Sequence, residues 1–192
     1  MYSKVTEPVY QTTPRVPIRS SMQMPDGKVL RVPISPSAPD AFTIIGTIQF
    51  VMEQFGRDNR LREKALSIIS SRINNDTERN ARALLSWVVN RVVYLADPDG
   101  GELLQTPIYL LDQIEKNGRA YGDCDDHVLL LGSLLLSIGI PARVAGVKIG
   151  GAPNYNHVVV EYLSNSRRVL VDPCAKATSQ SFYRERLVSQ SF

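Results

Sequence analysis

The sequence predicts an α+β domain: several helices packed on a small antiparallel sheet, with an extended N-terminal arm. Three observations predict it. Seven of the twelve prolines fall within residues 1–39. Helical spacing, with apolar residues recurring about every 3.6 positions, follows from residue 41 onward. Beyond Pro141 the period switches to two, which is the strand signal. Helices followed by a run of strands is the α+β order.

Composition bounds the rest. A chain of 192 residues accommodates one ordinary domain with an arm, here divided as a Pro-rich arm over 1–39 and a domain over 40–192. Hydrophobic residues at 43% supply a core, and charged residues at 21% are too few for a disordered polyelectrolyte. The net charge of +3 comes without a Lys/Arg stripe interleaved with aromatics, so nucleic acid is not an expected partner. No run reaches the ~18 apolar residues that span a bilayer, so no membrane is expected either. The opening "MYSKVTEPVY" lacks the apolar centre of a signal peptide, which points to a reducing cytoplasm. Two cysteines do not make a disulfide framework there.

In the arm, proline removes backbone donors and excludes helix and central strand. The piece "MQMPDGKVLRVPI" carries a Pro-Asp-Gly turn between short β-like segments, and a hairpin is expected. Such an arm packs on its own domain or on a neighbouring subunit. Ala41 to Phe55 reads as a helix capped by Asp40. Arg60 to Ile73 places Leu61, Ala65, Ile68 and Ile69 on one face. "NNDT" breaks it, and Asp76 or Thr77 caps the next helix. There Ala81, Leu84, Leu85, Val88, Val89 and Val92 line one face, Trp87 falls in the core, and "ADPDGG" ends the run. Thr106-Pro107 reads as cap and first helical position, with a stop at Asn117-Gly118.

Asp123 then caps a helix whose first turn holds Cys124. Val128 to Leu131 and Leu134 to Leu136 cover most of its faces, and a helix apolar all round is a buried one. Gly139 and Pro141 end it. Arg143 to Ile149 reads as a strand, "GGAPNYN" as a loop, and "HVVVEYL" with "RRVLVDP" as a hairpin around "SNS".

A thiol at a helix N-terminus sits in the positive end of the dipole, which favours thiolate. Asp123, Asp125 and Asp126 push the other way. Reactivity of Cys124 therefore calls for an imidazole partner, and the chain has two histidines. His157 opens the first hairpin strand. If Ser164 opposes Arg167, Asp172 opposes Val159 and is the diagonal neighbour of His157, roughly 7–8 Å away between α-carbons. This is a nucleophile–base–orienter arrangement. Other readings stand beside it. Cys124 is an inert buried thiol, or a zinc ligand with His127, His157 and Cys174. His127 alone reads as a surface or rim residue, and Asp172 as a strand-end turn residue. Asp125 and Asp126 complement the helix dipole. Glu161 shares the face of His157 or pairs with Arg168 or Arg167.

"YGDCDD", "GIPARVAG", "NHVVVEY" and "VLVDP", in that order, resemble the transglutaminase-like branch of the papain-like cysteine peptidase superfamily. The upstream "YLADPDGGELLQTP" resembles the version found in tailed phages and prophages. The resemblance spans about residues 40 to 175. It implies a papain-like core and a cysteine-dependent amide hydrolase or acyltransferase, of protease, amidase or transglutaminase type. Position by position, Cys124 matches the nucleophile, His157 the base and Asp172 the third triad member. Gln105, with the backbone N–H of Cys124, is the candidate oxyanion donor. No cofactor and no metal is implied. The substrate is a peptide or protein with an amide bond, and hydrolysis is favoured over transfer because no amine-acceptor site is identified. The alternative is a virion structural or assembly protein that reuses the fold and meets other virion proteins through the arm. The implied location is the host cytoplasm, or the phage particle. The chain departs from the family at Val159, where many members carry an aromatic, and in the short segment after Asp172.

Overall fold

In the computed structural model, which describes residues 9–12, 29–32, 41–69, 76–97, 102–174 and 185–188, the helix that begins at Cys124 is the centre of the packing. The elements in chain order are β1 (Val9–Thr12), β2 (Val29–Val32), α1 (Ala41–Phe55), α2 (Asn59–Ile69), α3 (Thr77–Arg91), β3 (Val92–Tyr94), β4 (Glu102–Gln105), α4 (Pro107–Asn117), β5 (Ala120–Gly122), α5 (Cys124–Ser137), β6 (Ala142–Val147), β7 (His157–Ser164), β8 (Arg167–Val171) and β9 (Glu185–Val188). Helix α5 is apolar on all sides, and it is surrounded on all sides. Helices α1 to α4 and strands β6 and β7 all pack on it. Of its fourteen residues only Cys124 and Leu136 escape full burial. Among the described residues no helix is long and apolar enough to cross a membrane.

The close approach of α1 to α5 depends on one glycine. A Cβ on Gly132 would meet Met52 Sδ at 1.9 Å, and the neighbouring Ser133 hydroxyl donates to the Met52 carbonyl at 3.2 Å. Helix starts follow the sequence signals. Asp76 accepts from Arg79 N–H, Thr106 accepts from Tyr109 N–H with Pro107 at the first position, and Gly118 closes α4 at φ 79°.

The main sheet has the order β1-β9-β6-β7-β8. Strands β6, β7 and β8 form an antiparallel meander, with β9 antiparallel to β6. The outermost pair, β1 with β9, is parallel, so the sheet is mixed where an antiparallel one was expected. The β7–β8 register sets Ser164 opposite Arg167 and Val160 opposite Val171. Asn165 and Ser166 make the two-residue turn, both at positive φ (49° and 63°), which matches the twist of the flanking strands. One sheet face, with Ala142, Val144, Val158, Val160 and Tyr162, joins the helical core. The other carries a smaller cluster of Ala145, Val147 and Val159.

Several expectations shift. Helix α3 stops at Arg91, because the β-branched Val92 and Val93 leave it for β3, which pairs in parallel with β5. Strand β2 pairs with β4, and β1 with β9, so the described β-pieces of the arm are joined to the domain and not to each other. The Pro25-Asp26-Gly27 turn and the Asp40 cap lie outside the described residues. Trp87 is half-buried against the core.

Candidate active site

Strand β5 delivers the chain to the start of α5. Gly122 is required there, because a Cβ would meet the Asp126 carboxylate oxygen Oδ2 at 2.4 Å. Asp123 caps the helix, its Oδ1 accepting the N–H of Asp125 at 3.0 Å. Cys124 follows, half-buried, with a free thiol that donates to Asp125 Oδ1 at 3.5 Å. Burial pushes this thiol well above the ordinary cysteine range. Asp125, Asp123 and Cys174 push it the same way, and a hydrogen bond from the Val158 backbone opposes them. The acids and the burial thus act against the helix dipole.

His157 begins β7 and is 5% exposed. Its Nε2 lies 3.0 Å from Asp172 Oδ2. The other Asp172 oxygen accepts the Cys174 N–H at 2.7 Å. Asp172 is therefore a strand-end turn residue and a partner of His157 at once. A neutral imidazole that donates Nε2–H to a carboxylate carries its lone pair on Nδ1, ready to take a proton.

Cys124 and His157 line one cavity of about 290 Å³. Tyr94, Asp123, Asp125 and Tyr155 line it too. Neither tyrosine was singled out from the sequence. The usable signals are the "VVY" run, β-branched and aromatic directly after a helix, and the position of Tyr155 two residues before His157. Tyr94 is placed by the β3–β5 ladder, opposite Gly122, and Leu95 N–H donates to the Gly122 carbonyl at 2.9 Å. Burial, with added repulsion from Cys124 and Asp123, pushes its phenol up to about 12. Lys148 Nζ lies 5.2 Å from the centre of the Tyr155 ring.

Gln105 is elsewhere. It does not line the cavity. Its amide nitrogen donates to Asp126 Oδ2 at 2.6 Å and to the Tyr121 carbonyl at 2.7 Å. Its amide oxygen accepts from Gln113 Nε2 at 2.9 Å. Both amide hydrogens are used, so this side chain offers none to an oxyanion. Its backbone N–H also donates to Asp126, at 2.7 Å. Asp126 lies in the first turn of α5, as a complement to the dipole would, and is also a fully buried anchor for β4. Burial, followed by repulsion from Asp123, pushes its carboxyl up to about 8.

His127 is also not a rim residue. It is 2% exposed, because β3 covers the face of α5 on which it lies. Nδ1 lies 2.7 Å from the Asp123 carbonyl and Nε2 3.2 Å from the Val92 carbonyl. The ring centre of Tyr94 is 6.3 Å away. Burial pushes the imidazole below its ordinary range. The four-residue zinc set of Cys124, His127, His157 and Cys174 does not assemble. Among the described residues, only Asp123, Cys124 and Asp125 bring three ligand atoms within 4.8 Å of one another. The hydrogen bonds that start α5 account for that grouping. Glu161 is a structural partner. Its Oε1 accepts from Arg143 Nη2 and Nε at 2.6 and 2.9 Å, with Arg168 at 3.6 Å.

The family model described as the transglutaminase-like superfamily matches residues 66–173, over half of the 192. Curated protein sequences give no match. Among solved structures, the periplasmic domain of TgpA from Pseudomonas aeruginosa is 22% identical, with a TM-score of 0.46 over 67% of this chain and 48% of that one. A candidate cysteine protease from Cytophaga hutchinsonii is 21% identical, with a TM-score of 0.47 over 76% of this chain and 48% of that one. A structure described as a TGase is 15% identical, with a TM-score of 0.42 over 71% and 35%. This chain spans less than half the length of each of the three.

Proposed function

The chain belongs to the transglutaminase-like superfamily, and from that premise we propose that it is a cysteine-dependent enzyme acting on amide bonds of peptides or proteins. The observation that carries the reading is the sharing of one cavity by Cys124 and His157, with Asp172 hydrogen-bonded to the imidazole at 3.0 Å. Cys124 Sγ attacks the amide carbonyl carbon, and its proton passes to His157. The tetrahedral oxyanion is met by the Cys124 backbone N–H, which in the first turn has no intrahelical acceptor. Collapse breaks the C–N bond, and His157 protonates the leaving amine. Asp172 holds the imidazole and balances its charge. The thioester then passes to water, or to an amine that competes with water. Water needs no dedicated site, so hydrolysis is the favoured fate.

The test is a defined peptide mixture read by mass spectrometry, with and without an added primary amine. Cleaved or amine-linked products are expected from the parent chain and absent from Cys124→Ala. Equal products from Cys124→Ala would overturn the reading.

We place the protein in a tailed phage or prophage on the resemblance of "YLADPDGGELLQTP", with a host-cytoplasmic or virion location and the arm as the contact to other virion proteins. Mass spectrometry of purified particles tests this. A stoichiometric copy number, with Cys124→Ala particles assembling normally, would favour a structural role in the particle over catalysis.

A further inference from the structure

Gln105 has spent both amide hydrogens on Asp126 and Tyr121, so the oxyanion is left with the Cys124 backbone N–H. The cavity makes that a demanding place for new negative charge. Asp123 and Asp125 line it with Cys124, and a charge that forms beside two carboxylates needs donors already in position.

Few groups around the cavity can supply one. From α1 come Ala41, Ile44 and Ile45, which carry no polar side-chain atom. The Val158 backbone N–H is hydrogen-bonded to the sulfur, where it favours thiolate. His157 is the proton carrier. Asn156 is tied to the strand end, its Oδ1 accepting the Ile149 N–H at 2.9 Å and its Nδ2 donating to the Ile149 carbonyl at 3.3 Å. Two phenols remain, Tyr94 and Tyr155. Tyr155 lies outside the strands, in the loop between β6 and β7, with Lys148 Nζ 5.2 Å from its ring centre.

Tyr94 is held by the sheet. It stands opposite Gly122, two residues before the nucleophile, and the Leu95 N–H locks that register onto the Gly122 carbonyl at 2.9 Å. On the other side of Tyr94, the Val92 carbonyl meets His127 Nε2 on α5 at 3.2 Å. The ring is 41% exposed, so a substrate can reach it. Among the described residues, no hydrogen bond engages its hydroxyl. With its phenol pushed up to about 12, Tyr94 carries its proton near pH 7 and is a donor there.

We propose that the Tyr94 hydroxyl is the second oxyanion donor, acting with the Cys124 backbone N–H on the substrate carbonyl oxygen. This rests on the proposed function, in which Cys124 is the nucleophile. As the S–C bond forms, the carbonyl π pair becomes a lone pair on oxygen. Tyr94 donates a hydrogen bond to that oxygen and keeps its proton. When the C–N bond breaks, the carbonyl re-forms and the hydrogen bond weakens.

The test is Tyr94→Phe, which keeps the ring and removes the hydroxyl, with Tyr155→Phe as its counterpart. The substrate is the peptide that the parent chain converts fastest in the defined mixture. In Tyr94→Phe, kcat is expected to fall about 10²–10³-fold, as for loss of one oxyanion donor. KM should stay close to the parent value, because the contact is made in the transition state. Tyr155→Phe should keep the parent kcat. Iodoacetamide alkylates a thiolate without forming an oxyanion, so the Cys124 alkylation rate of Tyr94→Phe should match the parent. A parent-like kcat in Tyr94→Phe would overturn the proposal. So would an alkylation rate that changes with turnover, which would assign Tyr94 to the thiol or to the fold. Product that persists in Cys124→Ala fails the proposed function itself, whereas Cys124-dependent product with a parent-like Tyr94→Phe fails this proposal alone.

Discussion

Asp172 reaches His157 with one carboxylate oxygen, at 3.0 Å, and the N–H of Cys174 with the other, at 2.7 Å. One side chain therefore ends a strand and orients an imidazole, and a substitution can separate the two tasks. Asp172→Asn keeps an oxygen for the Cys174 N–H but removes the negative charge beside the ring. Peptide turnover is expected to fall about 10²–10⁴-fold. The thermal midpoint should move far less than in Asp172→Ala, which loses both contacts. Turnover and melting measured on the same samples check this, and a turnover loss matched by an equal loss of fold would contradict it.

The α1–α5 crossing makes a second prediction. Gly132→Ala puts a methyl where Met52 Sδ now lies, and overpacking of this kind costs about 1–3 kcal/mol. Denaturant unfolding measures it. Because the clash is with one flexible side chain, Gly132→Ala with Met52→Ala should cost less than the sum of the two single changes.

Asp126 predicts a pH dependence. Its folded carboxyl titrates at about 8, far above an unfolded aspartate at about 4. The folded state therefore binds the proton more tightly than the unfolded state. The associated stability is fully present below about pH 4 and is lost as pH rises to about 8. Thermal midpoints of the parent and Asp126→Asn, compared across that window, should show the advantage of the parent shrinking with rising pH. A constant difference between the two would refute the assignment.

These residues also show what is readable from sequence. The β7–β8 register is legible because a two-residue turn fixes it, and with it the approach of Asp172 to His157. The caps at Asp76, Thr106 and Asp123 are legible because a cap is a local interaction. The placements of Gln105 and His127 are not. Gln105 is bound by Asp126 and Tyr121, and His127 by Val92, all through β3, β4 and β5. These are strands of three or four residues, too short to show a period. The partner of Glu161 is likewise set by the register of β6 against β7, which brings Arg143 opposite it. Local composition offers Arg167 and Arg168 as equal candidates.

The sulfur stands at the first residue of the helix that every neighbouring element encloses. Any swing of that end would have to break open the interior, so the backbone that carries the thiol is held by the core. Under the proposed function, adaptation to differently shaped molecules would fall to Tyr94 and Tyr155, which line the cavity, while the fold would set the position of the sulfur.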